Sequence, residues 1–338
     1  MRLDWRGALG IVISVVLLAY TLRNESPADI WRVIRASNVW LFLLATAVAT
    51  MVFPLRALRW RVILEPLGRL PYSPLWRATA IGMMVNNVMP ARAGELARAY
   101  ALSRTVPNVP FTAALASLVV DRIVDGVVVV ALLGVALLLS PFPADSTIVG
   151  QPVARLALVT GALALGALLA LGALALFPRQ VLAMFDWFAA HVLRRFHHRI
   201  RPFFVSFVDG LAALRSPGRL ARILAWAFAL WLTNALSFWI AFHAVGVDVP
   251  FAAALFVQGL IAFAVAAPSA PGFFGVFEVS AVAGLALYGV AGDLAVSWAL
   301  GFHILTFLPI TLIGLVYFGQ LGLHFRDLGT AAGREGPA

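Results

Sequence analysis

Residues 86–130 read NNVMPARAGELARAYALSRTVPNVPFTAALASLVVDRIVDGVVVV. Their end is apolar enough to enter a bilayer. Their beginning, 86–100, holds two asparagines, a proline, a glycine, two arginines and a glutamate. Non-helical backbone at membrane depth is tolerated only where protein or a water-filled cavity satisfies its N–H and C=O groups. The stretch therefore points to a broken helix lining a polar cavity. An ordinary cytoplasmic loop is the plainer alternative, and it accounts for the arginines equally well.

Composition supplies the setting. The chain is 62% hydrophobic and only 12% charged, against about 25% charged in soluble domains, and its mean hydropathy is +0.95. This is the signature of a polytopic membrane protein. Every basic residue is arginine, and the net charge of +10 fits cytoplasmic loops and anionic lipid headgroups rather than nucleic acid. Without cysteine the chain has no disulfide, thiolate metal site or cysteine nucleophile. The N-terminal run MRLDWRGALGIVISVVLLAYTL resembles a signal peptide in length, but the rest of the chain needs a membrane, so a retained first helix is expected. The run GALALGALLALGALAL (161–176) is expected to be a tightly packed spanning helix with small residues at its interface.

Apolar length and arginine placement give an all-α polytopic membrane protein with about six full transmembrane helices. These are expected at about 7–22, 38–55, 111–139, 153–177, 223–243 and 294–318. The segment RALRWRVILEPLGRL after the second reads as a cytoplasmic loop containing Arg56, Arg59, Arg61 and Arg69. A stripe of aliphatic and phenylalanine residues over 181–208 predicts an amphipathic helix in the cytoplasmic interface or packed on the protein's own cytoplasmic face. Trp5, Trp40, Trp60, Trp76, Trp226 and Trp298 fall near proposed span ends, as an aromatic belt would.

Two regions, 75–98 and 251–289, are apolar but broken. The first is flanked by arginines on both sides and the second by none. They are expected to enter and leave from opposite faces, within two halves, 38–139 and 223–318, of a single membrane domain. That is an inverted-topology repeat, in which broken helices meet near the midplane and line a shared site. Asn86, Asn87, Arg92, Glu95 and Arg98 are expected on its cytoplasmic side, and Glu278 on the other.

Asp121, Arg122 and Asp125 form the second polar constellation. The aspartates share a helix face, and charges this deep need partners or water. Arg92 and Arg98 are candidate partners. An ion-pair network locking helices and a cavity wall that binds a headgroup or carries protons are both open readings. His303 fits a packed, hydrogen-bonded histidine or a proton relay, and His197-His198 a solvated basic face. No G-x-S-x-G, P-loop, H-E-x-x-H or dinucleotide fingerprint occurs.

These residues resemble the lysylphosphatidylglycerol synthase transmembrane (flippase-like) family. Its pattern N-x-x-x-P-x-R-x-G-E-x-x-R, followed by E/D-R-x-x-D, falls on Asn86, Pro90, Arg92, Gly94, Glu95, Arg98, Asp121, Arg122 and Asp125. Its later pattern P-x-x-P-G-x-x-G-x-x-E falls on Pro268, Pro271, Gly272, Gly275 and Glu278. Asp121 stands where members often have glutamate, which keeps the charge and shortens the reach. The synthases carry a soluble aminoacyl-transferase domain after this region, and related archaeal proteins a glycosyltransferase domain. The chain ends soon after its last helix, so neither activity is expected here.

The resemblance implies a lipid transporter of the bacterial inner membrane with no enzyme activity, no cofactor and no metal, and the arginine placement puts both termini in the cytoplasm. It implies an anionic phospholipid or polyprenyl-phosphate lipid as substrate. A homo-oligomer or an envelope-lipid synthesis enzyme is the partner to consider, and nucleic acid is not. The rival readings are a secondary transporter for a small anion, an enzyme or enzyme partner acting on a lipid-linked substrate, and a non-transporting scaffold.

Overall fold

The computed structural model describes residues 5–23, 25–89, 93–140, 147–148, 151–177, 180, 183–184, 186–187, 215–266 and 270–323. Pro90, Arg92, Pro268, His197, His198 and most of the 181–208 stripe lie outside these residues.

The fold is all-α and polytopic. Its long helices are α1 (Trp5–Leu22), α3 (Val39–Ile63), α6 (Phe111–Leu139), α7 (Val153–Leu176), α8 (Pro217–Ala244) and α11 (Gly292–Gln320). Among the described residues α3, α6, α8 and α11 are long and apolar enough to cross a membrane. Shorter helices are α2 (Pro27–Ala36), α4 (Tyr72–Val88), α5 (Gly94–Thr105), α9 (Phe251–Ala264) and α10 (Val276–Ala286). Two-residue strands, β1 (Thr147–Ile148) and β2 (Gln151–Pro152), pair antiparallel beside α7.

Local chemistry sets the helix ends. Asn38 caps α3, its Oδ1 accepting from the N–H groups of Trp40 and Leu41 at 3.0 and 3.2 Å. Pro110 and Pro250 immediately precede α6 and α9. Proline tolerates these positions because the first N–H groups of a helix have no intrahelical partner. In α2, Pro27 begins the helix, Asp29 lies in the first turn and Arg35 in the last, the order that the helix dipole favours. This helix fills the charged segment between the first two expected spans.

Helix α3 packs along α8, α4 packs against α5 and α11, and α6 against α7. Leucines and valines on the outward faces of α3, α7 and α11 are exposed, including Leu43, Leu163 and Leu312. In a membrane protein this is the lipid-facing surface.

Three expectations are corrected. The second span continues through the supposed loop to Ile63, so Arg56 and Arg59 are buried helix residues. Among the described residues the small-residue packing of α7 comes from Ala164 and Ala167 and not from its glycines. A Cβ at Gly161, Gly166 or Gly172 would meet nothing within 4 Å, and α7 instead rests on α6. Finally, Trp60 and Trp298 are not belt residues. Both are fully buried, whereas Trp40 is 76% exposed. Trp298 packs among Phe238, Phe242, Phe277 and Phe302.

Candidate functional site

The buried charges form one network across three helices. Asp125 of α6 meets Arg56 of α3 at 2.9 Å and Arg59 at 2.6 Å. It also accepts from the Trp231 indole N–H of α8 at 2.9 Å. Asp121, one turn away, meets Arg59 at 2.7 Å and Arg98 of α5 at 3.3 Å. Arg98 stacks on Trp60, with its guanidinium carbon 4.0 Å from the ring centroid, and Trp60 donates to Ser117 Oγ at 2.8 Å. At the edge, Arg122 reaches Glu95 at 2.6 Å. Among the described residues, four guanidinium groups therefore face three carboxylates, which leaves one positive charge in excess.

The spacing explains the arrangement. Arg56 and Arg59 are three apart on α3, and Asp121 and Asp125 four apart on α6, so each pair shares a helix face. The sequence separation between the pairs exceeds sixty residues. Sequence reading paired the aspartates with Arg92 or Arg98. Arg98 is indeed a partner of Asp121, but Asp125 is held by Arg56 and Arg59, which that reading had assigned to a loop. The detectable signal was the apolar continuation Leu55, Ala57, Leu58, Trp60, Val62 and Ile63 around those arginines.

Beside this network lies a cavity of about 290 Å³ bounded by α3, α4, α6, α8, α9 and α11 and by the turn at Pro271–Phe273. Its wall is largely apolar and aromatic, with Phe53, Phe238, Phe277, Phe302 and Phe307 among the lining residues. Arg56 and Arg122 line it, as do Asn86, Asn87, Asn234, Gln258, Thr306 and His303. Arg56 Nε is buried and has no hydrogen-bond partner among the described residues. Arg122 is the most accessible of the four arginines, its side chain 35% exposed. Asn234 donates to Gln258 at 3.0 Å. The lining therefore carries cationic groups and amides, and no carboxylate among the described residues.

The two asparagines of the opening stretch do different work. Asn86 Oδ1 accepts from the Gly94 N–H at 2.8 Å and so fixes the start of α5. A Cβ on Gly94 would collide with that asparagine and with the Gly82 carbonyl, so only glycine allows α4 and α5 to approach this closely. Asn87 instead ties α4 to α11, donating to Thr311 Oγ1 at 2.7 Å.

The second break is built around Glu278. Gly272 (φ 69°), Phe273 (φ 63°) and Gly275 (φ 83°) have left-handed backbone, which reverses the chain before α10. One Glu278 carboxylate oxygen accepts from the Gly275 N–H at 2.6 Å. This is half of a capping box. The other oxygen lies 2.6 Å from His303 Nδ1. The imidazole is stacked on Phe274, with centroids 4.4 Å apart.

Several expected cavity residues therefore sit behind its wall. Glu278 is fully buried and touches the cavity only through His303. Arg98 and Asp121 are also buried away from it. Glu95 and Asp125 hold Arg122 and Arg56 rather than lining the space themselves. Of the residues in the second break, Gly272 lines the cavity and Pro271 starts the turn. Sequence reading did not single out Trp231, Asn234 or Gln258. No group of three or more potential metal-binding side chains occurs among the described residues.

Known proteins are similar to this chain. The family described as "Lysylphosphatidylglycerol synthase TM region" matches residues 7–314. A protein named Glycosyltransferase AglD, from Haloferax volcanii, is 33% identical over 129 residues, covering 38% of this chain. The match spans only 20% of the Haloferax protein. A UPF0104 membrane protein of Methanothermobacter thermautotrophicus is 24% identical over 307 residues, covering 86% of this chain and 87% of the relative.

Proposed function

The chain belongs to the lysylphosphatidylglycerol synthase transmembrane family, and from that premise we propose that it moves an anionic lipid between the leaflets of a bacterial inner membrane. The substrate class is an anionic phospholipid or a polyprenyl-phosphate lipid. The observation that carries the reading is the cavity, with aromatic walls, Arg56 and Arg122 on its lining and no described carboxylate. Phosphate accepts charge-assisted hydrogen bonds from guanidinium groups. A volume of about 290 Å³ suits a headgroup more than a whole lipid, so the acyl chains would stay in the bilayer. Sheltering the headgroup lowers the cost of carrying charge through hydrocarbon.

The proposal includes a non-catalytic role, with both termini cytoplasmic and halves 38–139 and 223–318 in inverted orientation. Alternate exposure of the two breaks would then open the cavity to each leaflet in turn.

The test is leaflet exchange of fluorescent phosphatidylglycerol in liposomes containing the purified chain. Wild type should accelerate exchange, and Arg122→Gln should slow it about tenfold or more, the loss expected for one charge-assisted contact. Glu95→Gln removes the nearer of Arg122's two carboxylate partners, Asp125 lying 3.8 Å away, and should alter the rate without removing the protein from the membrane. Wild-type exchange no faster than in empty liposomes sinks the transport reading. Chemical alteration of the lipid by the purified chain sinks its non-catalytic part.

A further inference from the structure

The lipid reading leaves Glu278 and His303 without a role. A buried carboxylate inside a membrane helix is costly unless paired. Its partner here is a histidine rather than an arginine, although arginine is the chain's common cation. We propose that Glu278 and His303 form a proton-binding site coupled to headgroup binding, so that an anionic headgroup and one proton occupy the protein together. The proposal rests on the lipid reading of the cavity and adds the ion that balances the headgroup charge.

Geometry assigns each atom a part. Glu278 is fully buried, with one oxygen held by the Gly275 N–H and the other by His303 Nδ1. With the carboxylate ionised, Nδ1 carries the proton of that hydrogen bond. Nε2 is then the nitrogen left for the cavity, which His303 lines. The rings of Phe274 and Phe277, with centroids 4.4 and 4.3 Å from that of the imidazole, hold it in place. His303 lies eleven residues into α11, about 16 Å along its axis. That is near the middle of a hydrocarbon core about 30 Å thick.

The surrounding charges can be counted. Helices α9 and α10 bring no other ionisable side chain. Helix α11 brings none other between Asp293 and Tyr317, α8 none between Arg222 and His243, and α1 none between Arg6 and Tyr20. Helix α4 carries none after Arg77. Helices α3 and α6 bring Arg56 and Arg122, the edge of a network with one positive charge in excess.

With neutral His303, the pair carries one negative charge, and the charges of the described residues balance. An arriving monoanionic headgroup upsets the balance by one. A proton taken from water onto His303 Nε2 restores it and supplies a new N–H donor on a residue that lines the cavity. Proton and headgroup then favour each other by the same factor, as linkage requires. The carboxylate also fixes the first turn of α10, beside the left-handed backbone of the break, so the charge of the pair acts on the segment that reverses the chain.

Two measurements test this. The first adds short-chain phosphatidylglycerol to the purified full chain in weakly buffered neutral detergent and follows a pH dye. Uptake of close to one proton per lipid bound is expected near neutral pH, and His303→Gln should abolish it. Binding by wild type without proton uptake overturns the proposal. The second follows exchange in phosphatidylcholine liposomes carrying fluorescent phosphatidylglycerol, between pH 6 and 8. Wild-type exchange should rise as pH falls, by up to about tenfold per unit, the limit for one linked proton. His303→Gln should flatten the profile. A wild-type profile already flat, or an unchanged slope in a folded variant, refutes the coupling. If wild type exchanges lipid at no pH, the transport reading fails, and proton uptake on binding still decides the pair.

Discussion

Asp121→Asn is the sharpest probe of the buried network. Asp121 is fully buried and lies 2.7 Å from Arg59 and 3.3 Å from Arg98. Arg59 keeps Asp125 when Asp121 is neutralised, whereas Arg98, only 1% exposed, has no other carboxylate partner among the described residues. The variant thus strands a buried cation against the face of Trp60. Removing one member of a buried pair costs about 3–5 kcal/mol, which corresponds to a fall in Tm on the order of 10 °C. Arg98→Met removes the stranded cation and keeps an apolar side chain over Trp60. The double variant Asp121→Asn/Arg98→Met should therefore recover at least about 2 kcal/mol relative to the sum of the single changes. Thermal unfolding of the four proteins in one detergent, followed by tryptophan fluorescence, closes the cycle. A single-variant Tm within about 2 °C of wild type, or strictly additive losses, would refute the account of Asp121 as the counter-charge of Arg98.

Gly94→Ala should sharply lower the Tm, because its methyl displaces Asn86 from the start of α5. Gly161→Ala, with open space around it, should be neutral or stabilising by up to about 1 kcal/mol; equal losses in the two variants would contradict the packing of α4 on α5. Glu65 of the turn after α3 is held below the usual carboxylate range chiefly by its hydrogen bond from Arg222, with Arg219 adding to the effect. Its contribution is fully present above the ordinary value of about 4.3 and disappears as pH falls through the lowered folded value. An exposed pair is worth about 1 kcal/mol or less, so the stability gap between wild type and Glu65→Gln should be small, constant from pH 5 to 7, and vanish in acid. A gap that widens in acid reverses the assigned sign. Cysteines placed singly at 145 and 195 of this cysteine-free chain should be labelled from the periplasm at 145 only, and the opposite pattern inverts the proposed orientation.

The long helices were legible because apolar length is a local property. The end of α3 was not. Arg56 and Arg59 resemble loop charges when only their neighbours are considered, and their aspartates arrive from α6, more than sixty residues away. Trp60 was misplaced with them, since an indole near a presumed span end suggests an interface, while here it is the platform for Arg98. The family motif brought out Arg98, Arg122, Asp121 and Asp125, yet motif spacing alone does not say which face the cavity. That depends on packing: Arg122 faces the space, and Arg98 and Asp121 support it from behind. Trp231, Asn234 and Gln258 carry no motif, and only the approach of α8 and α9 brings them to the wall.

Stability by itself does not account for so much buried charge. Well-packed apolar residues in place of a buried ion pair are often as stabilising or more so, and this chain has apolar residues in abundance. The arrangement gains its rationale from the cavity. Asp125 and Glu95 hold Arg56 and Arg122 in fixed positions at its wall. Guanidinium groups fixed in advance need little reorganisation when an anion arrives, and a low-dielectric wall strengthens their pull. A fully neutralised network would pull less, and the Arg56 Nε, unpartnered among the described residues, together with the single excess charge provides the remainder. In the proposed coupling, the Glu278–His303 pair offsets that excess, at a strength set by a single proton.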